Sequence, residues 1–195
     1  MIAVIDYGAS NLQSVSNALL KLNQSFEVVS DPKALSSFDK IILPGVGAAR
    51  PAMEKLKSAG FDRVLPKVQV PVLGVCLGLQ LFAEFSEEED TPCLGIVPGR
   101  VRRLPPGLKI PEIGWNQVEV LKKSPLLDNI PPESYFYFVN SYYLDAPAEV
   151  VLGKTLYNVT FASVIEKDNF YAVQFHPEKS GAPGLQLLRN FCEKC

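Results

Sequence analysis

Gly74-Val75-Cys76-Leu77-Gly78 sets a thiol between two glycines, where an apolar run gives way to a helical pattern. This Gly-x-nucleophile-x-Gly spacing is that of a nucleophile elbow. The nucleophile sits on a tight turn, and the glycines let strand and helix approach closely. The helix that follows presents the positive end of its dipole, which favours thiolate. Leu77 N–H is then placed to donate to a developing oxyanion. Taken alone, Cys76 reads more readily as inert core packing, since cysteine is among the most buried residue types.

Phe175-His176-Pro177-Glu178 supplies the second group. His176 is the one histidine of the chain, so any Cys–His pair is Cys76 with His176. A residue before proline is driven to extended geometry, and side chains two apart in extended chain share a face. Glu178 is therefore expected to reach His176 and fix its tautomer, the arrangement that activates a nucleophile. A plain surface ion pair fits the same four residues. The third group is Pro44-Gly45-Val46-Gly47, just past an apolar run. Its glycines free the backbone to aim an N–H at an oxyanion. No Gly-Lys-Ser/Thr follows, which argues against a phosphate loop, whereas an ordinary strand-to-helix turn fits as well. Nucleophile, base, orienter and oxyanion loop together point to an enzyme.

Short apolar runs alternate with helical patterns in the first half: strands at 2–6, 26–30, 40–44 and 70–75, with helices at 11–21, 51–58 and 77–85. That order predicts an α/β fold with an open, mostly parallel sheet flanked by helices. It also places the elbow and the glycine loop on one edge, at the carboxyl ends of strands, where such sheets bind ligands. From Thr91 the chain turns β-branched, aromatic and proline-punctuated. Additional strands, expected to be antiparallel, are read at 96–104, 117–121, 135–139, 150–154, 159–165 and 170–175, and a last helix at 183–193. The shift near residue 91 reads as a change of layer inside one domain spanning 1–195. Glu87-Glu88-Glu89-Asp90 reads as a solvated acidic stretch.

Composition narrows the function classes. The 195 residues carry 19 Lys+Arg against 21 Asp+Glu, a formal net charge of −2, which gives no basic face for nucleic acid. No apolar run approaches the roughly 20 residues of a membrane span, and the opening residues lack the pattern of a signal peptide. Four cysteines at 76, 93, 192 and 195 fit reduced thiols in a cytoplasm. Cys192-Glu-Lys-Cys195 has a two-residue spacing but no second pair, so no metal site is expected.

The motif Gly74-Val75-Cys76-Leu77-Gly78-Leu79-Gln80, with Phe175-His176-Pro177-Glu178-Lys179-Ser180, resembles the class I glutamine amidotransferases. Within them the chain is most similar to the glutaminase subunits of imidazole glycerol phosphate synthases. That likeness rests on Asp6–Leu12, Pro44–Gly47, Gly114-Trp115-Asn116 and Tyr137–Tyr143. The resemblance implies that Cys76 attacks the glutamine side-chain amide, with His176 as acid and base and Glu178 as its orienter. It implies an oxyanion hole from Leu77 and the Gly45–Val46 peptide, and a glutamine pocket at Gly47, Gln80, Asn140, Ser141 and Tyr142. It implies a heterodimer with a cyclase subunit built as a (β/α)₈ barrel, which takes the ammonia. Asn11, Trp115, Tyr137 and Lys179 match positions at that contact and the ammonia exit. No cofactor is implied. Two departures stand out: the family often has His where this chain has Asn140, and often His after proline where it has Pro111-Glu112. Glutaminases serving anthranilate, pyridoxal phosphate or sugar-modifying synthases share the same three groups. A non-catalytic cysteine sensor of similar build has no need of the His-Pro-Glu.

Overall fold

The computed structural model describes residues 1–8 and 12–195. Four strands of the first half, β1 (Ile2–Ile5), β2 (Phe26–Val29), β3 (Lys40–Gly45) and β4 (Val72–Cys76), lie parallel in the order β2-β1-β3-β4. Their side chains alternate between two cores. Ala3, Ile5, Ile41, Leu43 and Val72 enter one, while Ile2, Val4, Ile42, Leu73 and Val75 enter the other. This two-sided burial explains the continuous apolar runs. Helix α1 (Leu12–Lys21) covers the second core with Val15, Ala18 and Leu19. Helix α2 (Ala49–Ala59) covers the first with Ala52, Met53 and Leu56.

Helix α3 (Leu77–Phe82) follows β4 with no intervening residue. It stops three residues short of the expected end. Ala83 turns to ψ 172°, and Phe85–Ser86 is drawn into the sheet edge beside Arg100–Val101.

The second half extends the same sheet. Its strands are β5 (Arg100–Arg103), β6 (Glu112–Gln117), β7 (Tyr135–Asn140), β8 (Tyr142–Asp145), β9 (Val151–Tyr157), β10 (Val159–Lys167) and β11 (Phe170–Val173), and helix α4 (Gly181–Lys194) follows. β11 pairs parallel with β4, in the register Ala172 to Gly74 and Val173 to Val75. On its other side β11 runs antiparallel to β10, which in turn pairs with β8, and β8 with β5. β6 and β7 form a separate antiparallel pair.

The structure corrects several boundaries. The strand expected at 96–104 is confined to Arg100–Arg103, because Gly99 turns at φ +124° against the Asp145 carbonyl. The strand expected at 117–121 begins at Glu112 and leaves only Glu119–Val120 beyond Gln117. β8 has no counterpart among the expected strands; it pairs with Arg100–Arg103. Among the described residues no helix is long and apolar enough to cross a membrane. None of their His, Cys, Asp and Glu side chains gather in a cluster of three that could hold a metal.

Candidate active site

The register of three parallel strands builds the site. Gly45 at the end of β3 sits opposite Cys76 at the end of β4. β11 runs beside β4, so the chain leaving Val173 arrives at His176 next to the elbow. About a hundred residues of intervening sequence are thereby closed to contact.

Cys76 has φ +54° and ψ −106°, a conformation that a residue with a Cβ adopts only under strain. The neighbouring glycines permit it. A Cβ on Gly74 would meet Phe82 Cε2 at 2.8 Å, and one on Gly78 would meet the Leu43 carbonyl oxygen at 2.2 Å. The helix therefore rides directly on β3 and β4. Cys76 is buried, with Sγ 3.8 Å from the Val139 carbonyl oxygen and 3.9 Å from Gln174 Nε2.

His176 is 4% exposed and neighbours Cys76 on one side. On the other, its Nδ1 lies 2.9 Å from Glu178 Oε1. The expected contact is present, but its geometry differs from the sequence argument. His176 itself is extended, while Pro177–Lys179 forms a 3₁₀ turn that folds Glu178 back under the ring. Ser180 locks this turn by donating to the His176 carbonyl at 2.6 Å and accepting from Tyr137 N–H at 2.9 Å. His176 N–H donates to the Tyr137 carbonyl at 2.9 Å, so β7 holds the histidine by its backbone.

Burial pulls the imidazole pKa down, but hydrogen bonds to Cys76 and Glu178, and their charges, push it up to about 10. A histidine raised above its unfolded pKa of about 6.5 stabilises the fold fully below that pH. The contribution is lost as pH rises through about 10. Urea midpoints are therefore expected to fall between pH 6.5 and 10, and His176→Gln is expected to flatten that fall. Parallel profiles for both proteins would contradict a charged His176.

A cavity of about 270 Å³ opens over Cys76 and His176. It is lined by Val46, Gly47, Leu77, Gln80, Asn140, Ser141 and Tyr142, so the residues expected in the pocket do gather there. Its size lies at the small end of ligand sites, which run to about 300–1,000 Å³, and suits an amino acid better than a nucleotide. Gln80 Nε2 donates to the Tyr142 carbonyl at 3.0 Å and to Gln174 Oε1 at 3.1 Å, so its amide nitrogen braces the wall.

Three side chains escape the sequence reading. Glu88 is not simply solvated: it lines the cavity, with Oε2 accepting from Ala49 N–H at 2.7 Å. Burial raises its pKa against the pull of that bond. Gln174 is fully buried two residues before His176, and a lone polar residue inside an apolar strand is its signal. Tyr7 follows β1, is 5% exposed, and its hydroxyl has no partner among the described residues. That hydroxyl lies 2.9 Å from where a Gly45 Cβ would stand. Burial, and then the charge of Cys76, push its pKa up.

The residues expected at a partner contact lie elsewhere. Trp115 is 56% exposed and packs edge-on against Tyr137, its register partner, with ring centroids 6.0 Å apart. Ile113 and Tyr135 are equally exposed on the same pair of strands. Lys179 is exposed on the turn beyond His176. Asn11 lies outside the described residues. Cys93, Cys192 and Cys195 stand apart from the cavity lining, and burial pushes their pKa values up to about 11, 12 and 11.

The family model for class-I glutamine amidotransferases matches residues 3–195. The chain belongs to this family. Among curated proteins, imidazole glycerol phosphate synthase subunit HisH of Methanothermobacter thermautotrophicus is 47% identical, covering 99% of this chain and 98% of its own. The protein of the same name from Haemophilus influenzae is 45% identical, covering 99% and 97%. Among solved structures, a glutamine amidotransferase superposes with TM-score 0.79 at 20% identity, covering 99% of this chain and 98% of its own. A putative GMP synthase component from Thermoplasma acidophilum gives TM-score 0.74 at 22% identity, covering 98% and 91%. At those identities the structures speak to the fold of this amidotransferase and not to its ammonia acceptor.

Proposed function

We propose that this amidotransferase is the glutaminase subunit of an imidazole glycerol phosphate synthase, working in the cytoplasm as one domain over residues 1–195. The observation that carries the chemistry is the strained elbow Cys76 sharing one cavity with the single histidine, itself seated on Glu178. The full-length likeness to HisH proteins supports the choice of acceptor.

In this reading the Cys76 thiolate attacks the side-chain carbonyl carbon of glutamine. The oxyanion is met by Leu77 N–H and by the N–H of the Gly45–Val46 peptide. The imidazolium of His176 gives its proton to the nitrogen as the C–N bond breaks, releasing ammonia and leaving a γ-glutamyl thioester. His176, now neutral, takes a proton from water, the hydroxide attacks the thioester, and glutamate departs with the thiolate restored. Glu178 holds the ring throughout. Glu88, the acid in the cavity wall, is suited to the substrate's α-ammonium, and Asn140, Ser141 and Tyr142 to the rest of its amino-acid end.

Ammonia passes to a cyclase subunit, which is a (β/α)₈ barrel docked on the exposed Trp115–Tyr137 face. That face is joined to the site through Tyr137, whose backbone bonds both His176 and Ser180. Val46 gives the partner something to control. A β-branched residue resists positive φ, so turning the Gly45–Val46 peptide to present its N–H costs about 1–3 kcal/mol. Glutamate release by the isolated chain is therefore expected to be slow. Adding the cyclase subunit with its nucleotide ligand is expected to raise it about 5- to 150-fold. Full activity of the chain alone would remove the coupling, and no glutamate under either condition would remove the glutaminase reading.

A further inference from the structure

Glu112 and Asn140 are register partners across β6 and β7. Side chains directly opposite in an antiparallel pair share a face and stand about 5 Å apart at Cβ. Both are buried, at 2% and 5% exposure. Each holds one oxygen in place by a bond made elsewhere on the residue. Asn116 Nδ2 donates to Glu112 Oε1 at 2.7 Å, and Asn140 Nδ2 donates to the Tyr142 carbonyl at 3.1 Å. The second bond fixes the Asn140 amide with its nitrogen toward Tyr142. What remains is Glu112 Oε2 and Asn140 Oδ1, two buried oxygens without a hydrogen-bond partner among the described residues.

Two buried acceptors without a donor are unfavourable, because each gives up its water and gains nothing. One proton resolves both. We propose that Glu112 is a positioning residue held as a neutral carboxylic acid, its Oε2–H donating to Asn140 Oδ1. Asn140 is then gripped at both ends: its oxygen by Glu112 and its nitrogen by the Tyr142 carbonyl, which also accepts from Gln80. The bond ties the wall of the glutamine cavity to β6, the strand that carries Trp115. Burial is the leading cause acting on the Glu112 carboxyl and favours its neutral form, while the Asn116 bond opposes it.

The inference rests on the glutaminase reading only for its effect on substrate. The proton itself is a property of the fold, and the experiment separates the two. Infrared spectra of the wild type and of Glu112→Gln are compared in the region of a protonated carboxylic acid. A carbonyl band present in wild type at neutral pH and lost in the variant supports the proposal. Absence of any such difference band overturns it. In the complex with the cyclase subunit, Glu112→Met leaves Asn140 Oδ1 unsupported. It is expected to raise KM for glutamine about tenfold with little change in kcat, the size expected for one buried hydrogen bond. Glu112→Gln keeps an N–H donor toward Asn140 and a carbonyl toward Asn116, so it is expected to restore KM to within about twofold of wild type. Equal KM increases in both variants would mean that Glu112 acts as an anion, and would overturn the proposal. If Glu112→Met fails to fold, the infrared pair and the KM of Glu112→Gln still decide. A wild-type complex that releases no glutamate would sink the function while leaving the infrared result to judge the proton.

Discussion

Replacing Cys76 with alanine is expected to lower glutamine hydrolysis in the complex by at least about 10⁴-fold, the scale seen when a covalent nucleophile is removed. Cyclisation with added ammonia is expected to survive, because that chemistry belongs to the partner. The two rates measured side by side are the check. The fold loses the sulfur's contribution to the raised His176 pKa and otherwise has little reason to respond. Alanine keeps the Cβ and so keeps the strained φ of +54°. The sulfur's hydrogen-bond contacts are long, 3.8 Å to Val139 and 3.9 Å to Gln174. Loss of both activities would point to a broken interface. Retention of both would place the nucleophile elsewhere and return Cys76 to packing. The same pair of measurements separates an amidotransferase from a cysteine sensor, which has no ammonia-dependent partner reaction to preserve.

Which parts of the site can be read from residues alone depends on how local their geometry is. The elbow is legible because its constraint is short-range: two glycines four apart, each pressed against neighbouring atoms in the folded chain. The Cys76–His176 pairing is legible for a different reason, that the chain offers one histidine. Neither observation contains the cause of the pairing, the insertion of Phe170–Val173 beside β4, which is a parallel contact between strands about a hundred residues apart. Periodicity carries no information on such pairings. Glu88 is hidden among three other acids, and only the approach of Ala49 N–H turns it inward. β6 escapes notice because Pro111 and Gly114 interrupt its alternation, and Gly114 sits at φ +148°. The two departures at 112 and 140 look unrelated in the sequence, twenty-eight positions apart. The strand pair makes them direct neighbours, each holding a buried oxygen that one shared proton would satisfy.

Gly78→Ala is expected to be strongly destabilising. The added Cβ would stand 2.2 Å from the Leu43 carbonyl oxygen and 3.3 Å from its carbon. These are backbone atoms of β3, held in the ladder by pairing of Leu43 with Gly74, so no side chain can swing aside. Relief requires α3 to lift from the sheet. Lifting would undo a close seat, since the helix start approaches β3 so nearly that a Cβ on Gly45 would lie 2.9 Å from Leu77 Cβ and 3.2 Å from Gly78 N. Overpacking typically costs about 1–3 kcal/mol and occasionally more, and a clash with fixed backbone belongs at the upper end, a large part of the roughly 5–15 kcal/mol typical of a domain. The measurement is equilibrium urea unfolding of wild type and variant, with Gly47→Ala as the control. Gly47 lines the same cavity at φ +94° but has nothing within 4 Å of its Cβ position. Its substitution introduces backbone strain alone, about 1–2 kcal/mol. Gly78→Ala should therefore lose at least about twice as much stability as Gly47→Ala, and in whatever fraction stays folded the displaced Leu77 N–H should depress glutamate release further. Equal midpoints for the two variants would show that α3 has room to move, and the seat that strains Cys76 would then need another explanation.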